Sequence, residues 1–481
     1  MSIEEVIYHH ARETPGKVAI ISGAEQITYA ELWEAIKRVA GTLLERMAPG
    51  NRIILSANKE IDFIYTYFGA HLAHLITVPI DSETNVTRLQ RIVDIATPKL
   101  IIGNLKYDGG KKITPFSEIC KSKVPLESII FPDENNISDI LFTTGTTGLP
   151  KGVALSFRNQ MIAASNINSF IGNTDSDIEL LALPISHSFG LGRMRCVFLA
   201  GGTLVLLNGF ASMKKFYGEL ERCKVTGFGM VPASWSYIQK MSKDRIANYA
   251  HQLRYIEIGS SFMSLSDKEH LMTLLPNTRI CMHYGLTEAS RSCFISFHHD
   301  KNALSSVGKA SPNVDIKVFD EKGLPVSDGS DGEICVKGEH VCTAYWGVPD
   351  EIFHQDFNGD YFKTGDWGHI DSDGYVYLQS RKKEIINVGG KKVSPIEVEE
   401  QLNQIEHIKE CACVGIFDSV LGEVVKAYIV SEKHDIDFNQ VVKLLGSKLE
   451  NYKIPVKFEY IDALPKTQNG KIQRHLLKEK N

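Results

Sequence analysis

Short runs of apolar residues alternate along most of this chain with longer segments in which apolar residues recur every three or four positions. The longer segments are typical of amphipathic helices, and the segment at residues 28–47 begins with Thr28 three positions before Glu31, the pattern of a capping box. The short runs predict strands at residues 17–21, 52–55, 99–102, 203–207 and 227–231. Because strands that alternate with helices form mainly parallel sheets covered by helices, we expect an α/β fold.

The pattern changes after about residue 314. Short strands at residues 315–319, 332–336 and 375–378, separated by turns rich in aspartate and glycine, favour a small antiparallel, barrel-like part. Beyond residue 380 the pattern predicts helices at residues 395–404 and 438–449 and strands at residues 410–417 and 424–431. We therefore predict a large N-terminal domain, residues 1–380, with the β-barrel part at about 314–380, and a small mobile α+β C-terminal domain, residues 381–481.

Composition and charge narrow the class of protein. Hydrophobic residues make up 43% and charged residues 23% of the chain, as in ordinary soluble globular proteins, and the net charge of −5 gives no electrostatic argument for a nucleic-acid partner. No window has the roughly 18 unbroken apolar residues of a membrane helix, and the acidic residues 1–5 do not resemble a signal peptide. The nine cysteines follow no metal-ligand spacing. We therefore expect a cytoplasmic protein with no integral membrane segment.

The most informative segment is Leu-Phe-Thr-Thr-Gly-Thr-Thr-Gly-Leu-Pro-Lys-Gly at residues 141–152. Backbone N–H groups of such a glycine-rich loop can converge on anionic oxygen, while the threonine hydroxyls and Lys151 add hydrogen bonds and charge. The segment favours a triphosphate site, and a flexible surface turn is the alternative. It is not a Walker loop, because Lys151 is followed by Gly152 instead of serine or threonine.

Four further motifs follow in order. They are Tyr-Gly-Leu-Thr-Glu at residues 284–288, Tyr-Phe-Lys-Thr-Gly-Asp at residues 361–366, Arg-Lys-Lys-Glu-Ile-Ile at residues 381–386, and Pro-Lys-Thr-Gln-Asn-Gly-Lys at residues 465–471. Together with the glycine-rich loop they resemble the adenylate-forming superfamily of acyl- and aryl-CoA ligases, adenylation domains and luciferases. The resemblance covers nearly the whole chain.

The resemblance implies ATP and Mg²⁺ as cofactors and assigns roles to individual residues. The implied phosphate-binding residues are Thr143, Thr144, Gly145, Thr146, Thr147, Gly148 and Lys151. Tyr284 would stack on adenine, while Asp366 and Arg381 would contact the ribose. Thr287 would contact the α-phosphate and Glu288 would hold Mg²⁺, a cation that prefers carboxylate oxygen.

The same resemblance implies that the C-terminal domain swings between two half-reactions. Lys383 corresponds to the hinge, Lys471 would bridge the carboxylate and the α-phosphate, and Gly389 and Gly390 would line the thiol tunnel. Taken singly, such residues have simpler interpretations: a turn aspartate at Asp366, or a solvated lysine at Lys471. The ordered series of motifs favours the functional interpretation.

Two segments correspond to the acid pocket of the family. The segment at residues 183–190 has no carboxylate to pair with a substrate ammonium, which disfavours a free α-amino acid. The expected pocket residues are His187, Ser188, Phe189, Gly259, Ser260, His283 and Arg193. We hypothesise that Arg193 receives a second polar group of the substrate, and an arginine paired on a helix surface is the alternative.

The predicted activity is that of an AMP-forming ligase, an acid–thiol ligase of the acyl- or aryl-CoA synthetase type. It would convert a carboxylic acid with MgATP to an acyl-adenylate and transfer the acyl group to CoA or to the phosphopantetheine of a carrier protein acting in trans. The alternatives outside this class are a non-catalytic ATP- or acyl-nucleotide-binding module and a P-loop ATPase. Intact Glu288, Asp366 and Lys471 disfavour the first, and the mismatch after Lys151 disfavours the second.

Overall fold

The computed structural model describes residues 1–121, 126, 128–144, 150–434, 436–466 and 472–478. It divides into two compact units: unit 1 comprises Met1–Asp315 and Val336–Phe362, and unit 2 comprises Ile316–Cys335 and Lys363–Asn481. Residues 316–335 thus group with the C-terminal part of the chain. The domain boundary between residues 380 and 381 stays a prediction.

The strands are, in chain order, β1 Val18–Ser22, β2 Glu25–Thr28, β3 Arg52–Ser56, β4 Ile76–Ile80, β5 Leu100–Ile102, β6 Ile113–Thr114, β7 Ile137–Thr144, β8 Pro150–Ser156, β9 Ile178–Leu181, β10 Thr203–Leu206, β11 Gly227–Met230, β12 Tyr255–Ile258, β13 Arg279–Tyr284, β14 Cys293–Ser296, β15 Lys309–Ala310, β16 Asp315–Phe319, β17 Gly332–Lys337, β18 Ala344–Tyr345, β19 Phe357–Asn358, β20 Tyr361–Ile370, β21 Val376–Arg381, β22 Ile386–Val388, β23 Lys391–Val393, β24 Glu410–Asp418, β25 Gly422–Val430 and β26 Lys457–Tyr460.

The α-helices are α1 Ile3–Glu13, α2 Tyr29–Leu44, α3 Ile61–Leu72, α4 Val86–Ala96, α5 Phe116–Cys120, α6 Phe157–Ile171, α7 Ser188–Ala200, α8 Met213–Cys223, α9 Pro232–Ser242, α10 Leu265–Leu274, α11 Asp350–Phe353, α12 Pro395–Leu402, α13 Phe438–Gly446 and α14 Arg474–Lys478. The capping box predicted at Thr28 and Glu31 is present at the start of α2. That helix ends three residues before the predicted limit.

Two large, mainly parallel sheets build unit 1, as the alternating pattern predicts. The nine-stranded sheet has the order β15-β14-β13-β12-β11-β9-β10-β1-β2, with parallel pairing from β13 to β1 and antiparallel strands at both edges. The seven-stranded sheet has the order β18-β8-β7-β4-β3-β5-β6 and is parallel from β7 to β6. The α/β class is confirmed.

Parallel pairing brings the predicted motifs to one edge of the nine-stranded sheet. The acid-pocket segment follows β9, the Gly259 segment follows β12, and the Tyr-Gly-Leu-Thr-Glu motif begins at the last residue of β13. In open α/β sheets, ligands bind at the carboxyl ends of the strands. The topology therefore places three distant pieces of sequence where one ligand can reach them.

Two smaller sheets are built from strands that follow β15 in the chain. One has the order β16-β17-β20-β19 with β21 paired to β20, and corresponds to the small β part expected after residue 314. The other, β23-β22-β25-β24 with β26 beside β25, packs with α12 and α13 around a core that includes Ile386, Val398, Val425 and Leu445. This second group matches the predicted α+β pattern.

Helix α7 carries a buried arginine toward the seven-stranded sheet. Arg195 forms an ion pair with Asp139 on β7, and its Nε donates to the Tyr67 hydroxyl at 3.2 Å. His71 lies 2.8 Å from Glu4 and 3.3 Å from Asp139. We call these five residues, with Thr77 and Gln160 that also donate to Asp139, the Asp139 cluster.

The Asp139 cluster holds its histidine in the charged form. Burial opposes the charge, but the hydrogen bonds that the imidazole donates to Asp139 and Glu4 raise the pKa of His71 to about 9. Burial likewise opposes the charge of Asp139, yet Arg195 and His71 lower its pKa to about 2. The cluster therefore joins α1, α3 and α7 to β7 through paired charges in the core.

Among the helices of the described ranges, none combines the length and the apolar character needed to span a membrane.

Candidate functional site

The glycine-rich loop connects two antiparallel strands. Thr143 at the end of β7 pairs with Lys151 on β8, a strand that the sequence interpretation did not include. Gly152 is required in this pairing, because a Cβ there would lie 2.9 Å from Ile140 and 3.2 Å from Phe142. The predicted phosphate contacts at Gly145, Thr146, Thr147 and Gly148 lie outside the described residues, as does the side chain of Thr144.

Lys151 and Glu288 both contact Tyr345, a residue that the sequence interpretation missed. The Lys151 ammonium lies 3.4 Å from the centre of the Tyr345 ring, and the Tyr345 hydroxyl donates to Glu288 Oε1 at 3.3 Å. Strand β18 brings Tyr345 beside Val153 of β8, and Asp356 lies 3.4 Å from the Lys151 ammonium. Tyr345 thus contacts both the Lys151 ammonium and the Glu288 carboxylate. A cation and a carboxylate placed this close together suit the binding of a phosphate chain and of its metal ion.

The turn after β13 presents the Thr-Glu pair. Tyr284 is the last residue of β13 and is buried, while Thr287 and Glu288 are half-buried. The Leu286 N–H donates to the Ala289 carbonyl at 2.9 Å, and the Glu288 carbonyl accepts from the Cys342 N–H at 2.7 Å. These backbone bonds form a turn, and no helix begins at this threonine.

A single carboxylate suits the implied metal ion. Within the described ranges, no group of three or more histidine, cysteine, aspartate or glutamate side chains could hold a metal. Mg²⁺ is commonly bound by one or two carboxylates together with substrate phosphates and water. Glu288 would supply this carboxylate, and the bound ion would neutralise the charge that develops on the phosphates.

Unit 2 holds the predicted ribose-binding pair in a defined geometry. Asp366 on β20 lies opposite Arg381 on β21, and Arg381 Nε is 2.9 Å from Asp366 Oδ1. Arg381 also donates to the Thr364 carbonyl at 3.0 Å, and the Asp366 N–H donates to the Thr364 hydroxyl at 3.1 Å. Gly365 between them has φ +71°, a conformation that side-chain-bearing residues rarely adopt.

Three further predicted residues of unit 2 lie in turns. Lys383 is exposed in the turn between β21 and β22. Gly389 and Gly390 connect β22 to β23 with φ values of +59° and +82°, as a two-residue hairpin turn requires. Lys471 lies outside the described residues.

The predicted acid-pocket residues of unit 1 converge. His187 occupies the N-cap position of α7, and Phe189 contacts the His283 ring edge-on with 4.5 Å between the ring centres. A Cβ on Gly259 would lie 2.1 Å from the His283 ring, so only glycine lets β12 end beside this imidazole. Ser260 follows with φ +75°. Strands β12 and β13 and helix α7 therefore form one wall from the pieces that the sequence kept apart.

Arg193 is not on the surface of this pocket. Its side chain is fully buried, with Nε 2.8 Å from Glu179 and Nη1 3.1 Å from Glu257. Its Nη2 also donates to Asn173 at 3.2 Å. These acceptors occupy the guanidinium on all sides, which corrects the expectation that Arg193 receives a polar group of the substrate.

Glu257 instead contacts two arginines and a histidine of the predicted pocket wall. In addition to Arg193, Arg291 Nε lies 3.2 Å and His283 Nδ1 lies 2.6 Å from Glu257 Oε1. The His283 contact is close but poorly aligned for a hydrogen bond, since Nδ1 has no partner of suitable geometry. We call Glu257, Glu179, Arg193, Arg291 and His283 the Glu257 cluster.

The Glu257 cluster keeps its histidine neutral. Burial lowers the pKa of His283 although Glu257 opposes the shift, and Arg291 and Arg193 add to the lowering. Arg291 and Arg193 hold the pKa of the Glu257 carboxyl far below its usual range despite its burial. The wall of the predicted acid pocket is therefore uncharged at His283.

Two residues of the site were missed by the sequence interpretation, Tyr345 and Arg291. Tyr345 stands in no motif, and only the pairing of β18 with β8 places it beside Lys151. Arg291 lies three residues after the Thr-Glu motif. A basic residue this close to the motif was the sequence feature that could have indicated a role in the site.

Comparison with known proteins agrees with this site. The profile of the AMP-binding enzyme family matches residues 7–346, and that of the AMP-binding enzyme C-terminal domain matches residues 397–471. The 2-succinylbenzoate–CoA ligase of Staphylococcus epidermidis is 29% identical over 98% of this chain and 97% of its own length. The feruloyl-CoA synthase of an Amycolatopsis species is 27% identical over 96% of this chain and 95% of its own.

Solved structures show the same fold. The o-succinylbenzoate CoA synthetase of Bacillus subtilis in complex with its acyl-adenylate intermediate superposes with a TM-score of 0.89 at 25% identity, covering 98% of this chain and 97% of that one. The ATP-bound MatB of Rhodopseudomonas palustris gives a TM-score of 0.91 at 25% identity, covering 100% and 99%. The Bacillus subtilis enzyme has also been solved with ATP and magnesium, with a TM-score of 0.88 at 26% identity, covering 98% and 99%.

The matches confirm the predicted fold and reaction class. The protein is an AMP-forming acid–thiol ligase that uses ATP and Mg²⁺ to make an acyl-adenylate from a carboxylic acid and then transfers the acyl group to a pantetheine thiol. Both profiles and all five ordered motifs lie on the same chain. It belongs to the AMP-binding enzyme family.

Proposed function

We propose that this protein activates an aryl carboxylic acid with MgATP and transfers the aryl-acyl group to CoA. The arrangement of Lys151, Tyr345 and Glu288 carries the first half of the proposal, because it places a cation and a metal-binding carboxylate on one side chain. The aromatic wall of Phe189 and His283 supports an aryl acid, since offset and edge-on ring contacts favour a flat aromatic substrate. Two of the relatives act on aromatic acids by name.

In adenylation, a carboxylate oxygen attacks the α-phosphorus and pyrophosphate leaves. Lys151 and a Mg²⁺ ion held by Glu288 would neutralise the phosphates, and Thr287 would donate to the α-phosphate. Lys471 would bridge the attacking carboxylate and the α-phosphate. Two anions can approach each other only when such cations screen them.

The nucleotide would be oriented by one aromatic and two charged residues of the predicted set. Tyr284 would stack on the adenine, and the Asp366 carboxylate, supported by Arg381, would accept from the ribose hydroxyls. The phosphate contacts at Thr143, Thr144, Gly145, Thr146, Thr147 and Gly148 belong to the same proposal.

In the second half-reaction, the CoA thiolate attacks the acyl carbonyl and AMP leaves. The C-terminal part would rotate about Lys383 so that the turn at Gly389 and Gly390 replaces Lys471 beside the adenylate. CoA is favoured because the relatives are CoA ligases by name. A carrier protein acting in trans is the alternative acceptor. The nine free cysteines support a reducing, cytoplasmic setting for this chemistry.

The test is ATP–pyrophosphate exchange with a panel of acids: 2-succinylbenzoate, ferulate, benzoate, malonate, palmitate and phenylalanine. We expect exchange with the aryl acids, and a loss of roughly 100-fold or more in Lys471→Ala. Lys466→Ala is the matched control, since Lys466 lies five residues away and pairs with Glu410. Its exchange rate should stay within about twofold of the parent, because exposed ion pairs contribute little.

The acceptor is tested with the acid that exchanges best. Thioester formation with free CoA would support the proposal, whereas thioester only on a phosphopantetheinylated carrier protein would replace CoA by that partner. Exchange confined to malonate or palmitate would overturn the aryl assignment. If no acid supported exchange while ATP still bound, the non-catalytic binding module would become the better interpretation.

A further inference from the structure

Arg291 has an unusual backbone and a fixed position beside the Thr-Glu turn. Its φ of +56° lies in the left-handed region, which a non-glycine residue adopts at a cost of about 1 kcal/mol or more. Gly285 makes room for it, because a Cβ there would lie 2.4 Å from the Arg291 nitrogen. Gly192 on α7 makes room for the guanidinium, because a Cβ there would lie 2.5 Å from Arg291 Nη1. The turn and the helix are thus both shaped around one buried arginine.

The guanidinium of Arg291 binds the start of the acid-pocket helix. Nη1 donates to the Ser188 carbonyl at 2.9 Å, Nη2 donates to the Phe189 carbonyl at 3.0 Å, and the guanidinium lies 4.9 Å from the centre of the Phe189 ring. These are the first residues of α7, and Phe189 is also the ring that meets His283. Arg291 therefore fixes the position of Phe189, because it contacts both the backbone carbonyl and the ring of that residue.

Glu257 contacts Arg291 and, at the same time, His283 on the neighbouring strand. It accepts from Arg291 Nε at 3.2 Å, lies 2.6 Å from His283, and pairs with Arg193 at 3.1 Å. Only 3% of Arg291 and none of Glu257 is exposed, so the pair is held out of water, where a planar guanidinium keeps a fixed direction. Strand β12, strand β13 and helix α7 are tied to one ion pair.

We propose that Arg291, oriented by Glu257, is a positioning residue that couples the acid pocket to the adenylation turn at residues 284–288. Its backbone belongs to the segment that presents Thr287 and Glu288, and its side chain holds the wall that orients the acid. It thereby sets the distance between the carboxylate and the group that activates the α-phosphate, without touching either substrate. The inference rests on the proposed function.

The experiment compares Arg291→Lys and Glu257→Gln with a variant in a second arginine–carboxylate pair, Arg254 and Asp177. Arg254 precedes β12 and binds Asp177 with two hydrogen bonds, of 2.8 and 2.7 Å, so Arg254→Lys makes the same chemical change away from the pocket. Thermal unfolding and the KM and kcat of ATP–pyrophosphate exchange are measured for each, with the best acid of the panel. Lysine keeps the charge but loses the fork geometry.

We expect Arg291→Lys and Glu257→Gln to lower kcat by about 10- to 100-fold and to raise KM for the acid, because a small misplacement of a reacting group costs this much. KM for ATP should stay within about twofold. Arg254→Lys should leave all three constants within about twofold. Gly192→Ala, which displaces the guanidinium without changing Arg291, should reproduce the kinetic pattern of Arg291→Lys.

If Arg291→Lys and Glu257→Gln lost thermal stability but kept the kinetic constants of Arg254→Lys, Arg291 would be purely structural and the inference would be overturned. Equal increases in KM for ATP and for the acid would overturn it as well. Absence of exchange in the unmodified protein would overturn the proposed function first, before any variant is compared. The two failures are therefore distinguishable.

Discussion

Helix α7 carries two buried arginines, Arg193 and Arg195, which are neutralised by two different clusters. Residues two apart on a helix point to opposite faces, so Arg193 reaches the nine-stranded sheet and Arg195 reaches the seven-stranded sheet. Each cluster contains two carboxylates. The clusters differ in their histidine, which is neutral in the Glu257 cluster and charged in the Asp139 cluster.

The difference follows from counting cations. The Glu257 cluster already has Arg193 and Arg291 for its two carboxylates, so a proton on His283 would add an unbalanced buried charge. The Asp139 cluster has Arg195 alone, and the proton of His71 supplies the second cation. A buried histidine thus takes the charge state that its neighbours leave open.

The largest expected effect is on stability when either arginine is removed. Arg193→Met should lower the free energy of unfolding by about 4 kcal/mol, because Glu179 and Glu257 lose a shared buried cation. Arg195→Met should cost less, about 2 kcal/mol, since Asp139 keeps His71 and its hydroxyl and amide donors. Urea unfolding of the two variants measures the difference. Equal losses would contradict the assigned roles of the histidines.

A second prediction concerns the pocket side alone. Gly259→Ala should raise KM for the acid by about 10- to 100-fold, because the new Cβ would meet the His283 ring at 2.1 Å and displace it. Steady-state exchange kinetics measure this, and KM for ATP should change little. Gly218→Ala is the control: its Cβ meets nothing within 4 Å, and in the middle of α8 it should stabilise the protein by up to about 1 kcal/mol. An unchanged KM in Gly259→Ala would contradict the pocket assignment.

A third prediction separates the clusters by pH. The pKa of His71 is raised to about 9 in the folded protein, against about 6.5 when unfolded. Its contribution is therefore fully present below about pH 6.5 and is lost as the pH rises through 9. We expect stability to fall by roughly 1–3 kcal/mol over this range in urea titrations. His71→Gln should remove much of the slope, whereas His283→Gln should retain it, since His283 is neutral throughout. A slope that persisted in His71→Gln would show that another group titrates.

The smallest expected effect lies outside both clusters. Tyr345→Phe keeps the ring against Lys151 but removes the hydrogen bond that the hydroxyl donates to the Glu288 carboxylate at 3.3 Å. We expect kcat to fall by about 2- to 10-fold, with a higher Mg²⁺ requirement, because even a well-formed hydrogen bond to a charged group contributes only about 1.5 kcal/mol and this one is long. Exchange rates measured against Mg²⁺ concentration test this. A loss as large as that of Lys471→Ala would mean that the hydroxyl acts directly in the reaction.

The fold was largely predictable from local pattern. The predicted strands of unit 1 appear within one or two residues of their expected limits, and the capping box at Thr28 is present. Strand β8 was missed because its sequence, Pro-Lys-Gly-Val-Ala-Leu-Ser, begins with residues that favour a loop. The pairing of Lys151 with Thr143, rather than intrinsic propensity, makes it a strand.

The site was predictable only where its chemistry lies in contiguous motifs. Glu288 and Asp366 stand in such motifs, Glu288 in the turn after β13 and Asp366 on β20. Arg193 was misplaced because helical spacing does not reveal whether a face meets solvent or a second sheet. Tyr345 was missed because it contributes through a strand pairing between positions far apart in sequence.

The sequence by itself determined the reaction class and the order of the functional motifs. The chemistry requires a phosphate-binding loop, a carboxylate and a lysine, and each of them lies in a short contiguous segment of the chain. Only the tertiary structure decided which charges neutralise one another. Arg193 and Glu257 are 64 residues apart, and Arg291 and the Ser188 carbonyl are 103 residues apart. Burial makes these pairings obligatory, since an unpaired charge in the core is costly, but the choice of partner depends on which strands the sheet brings together.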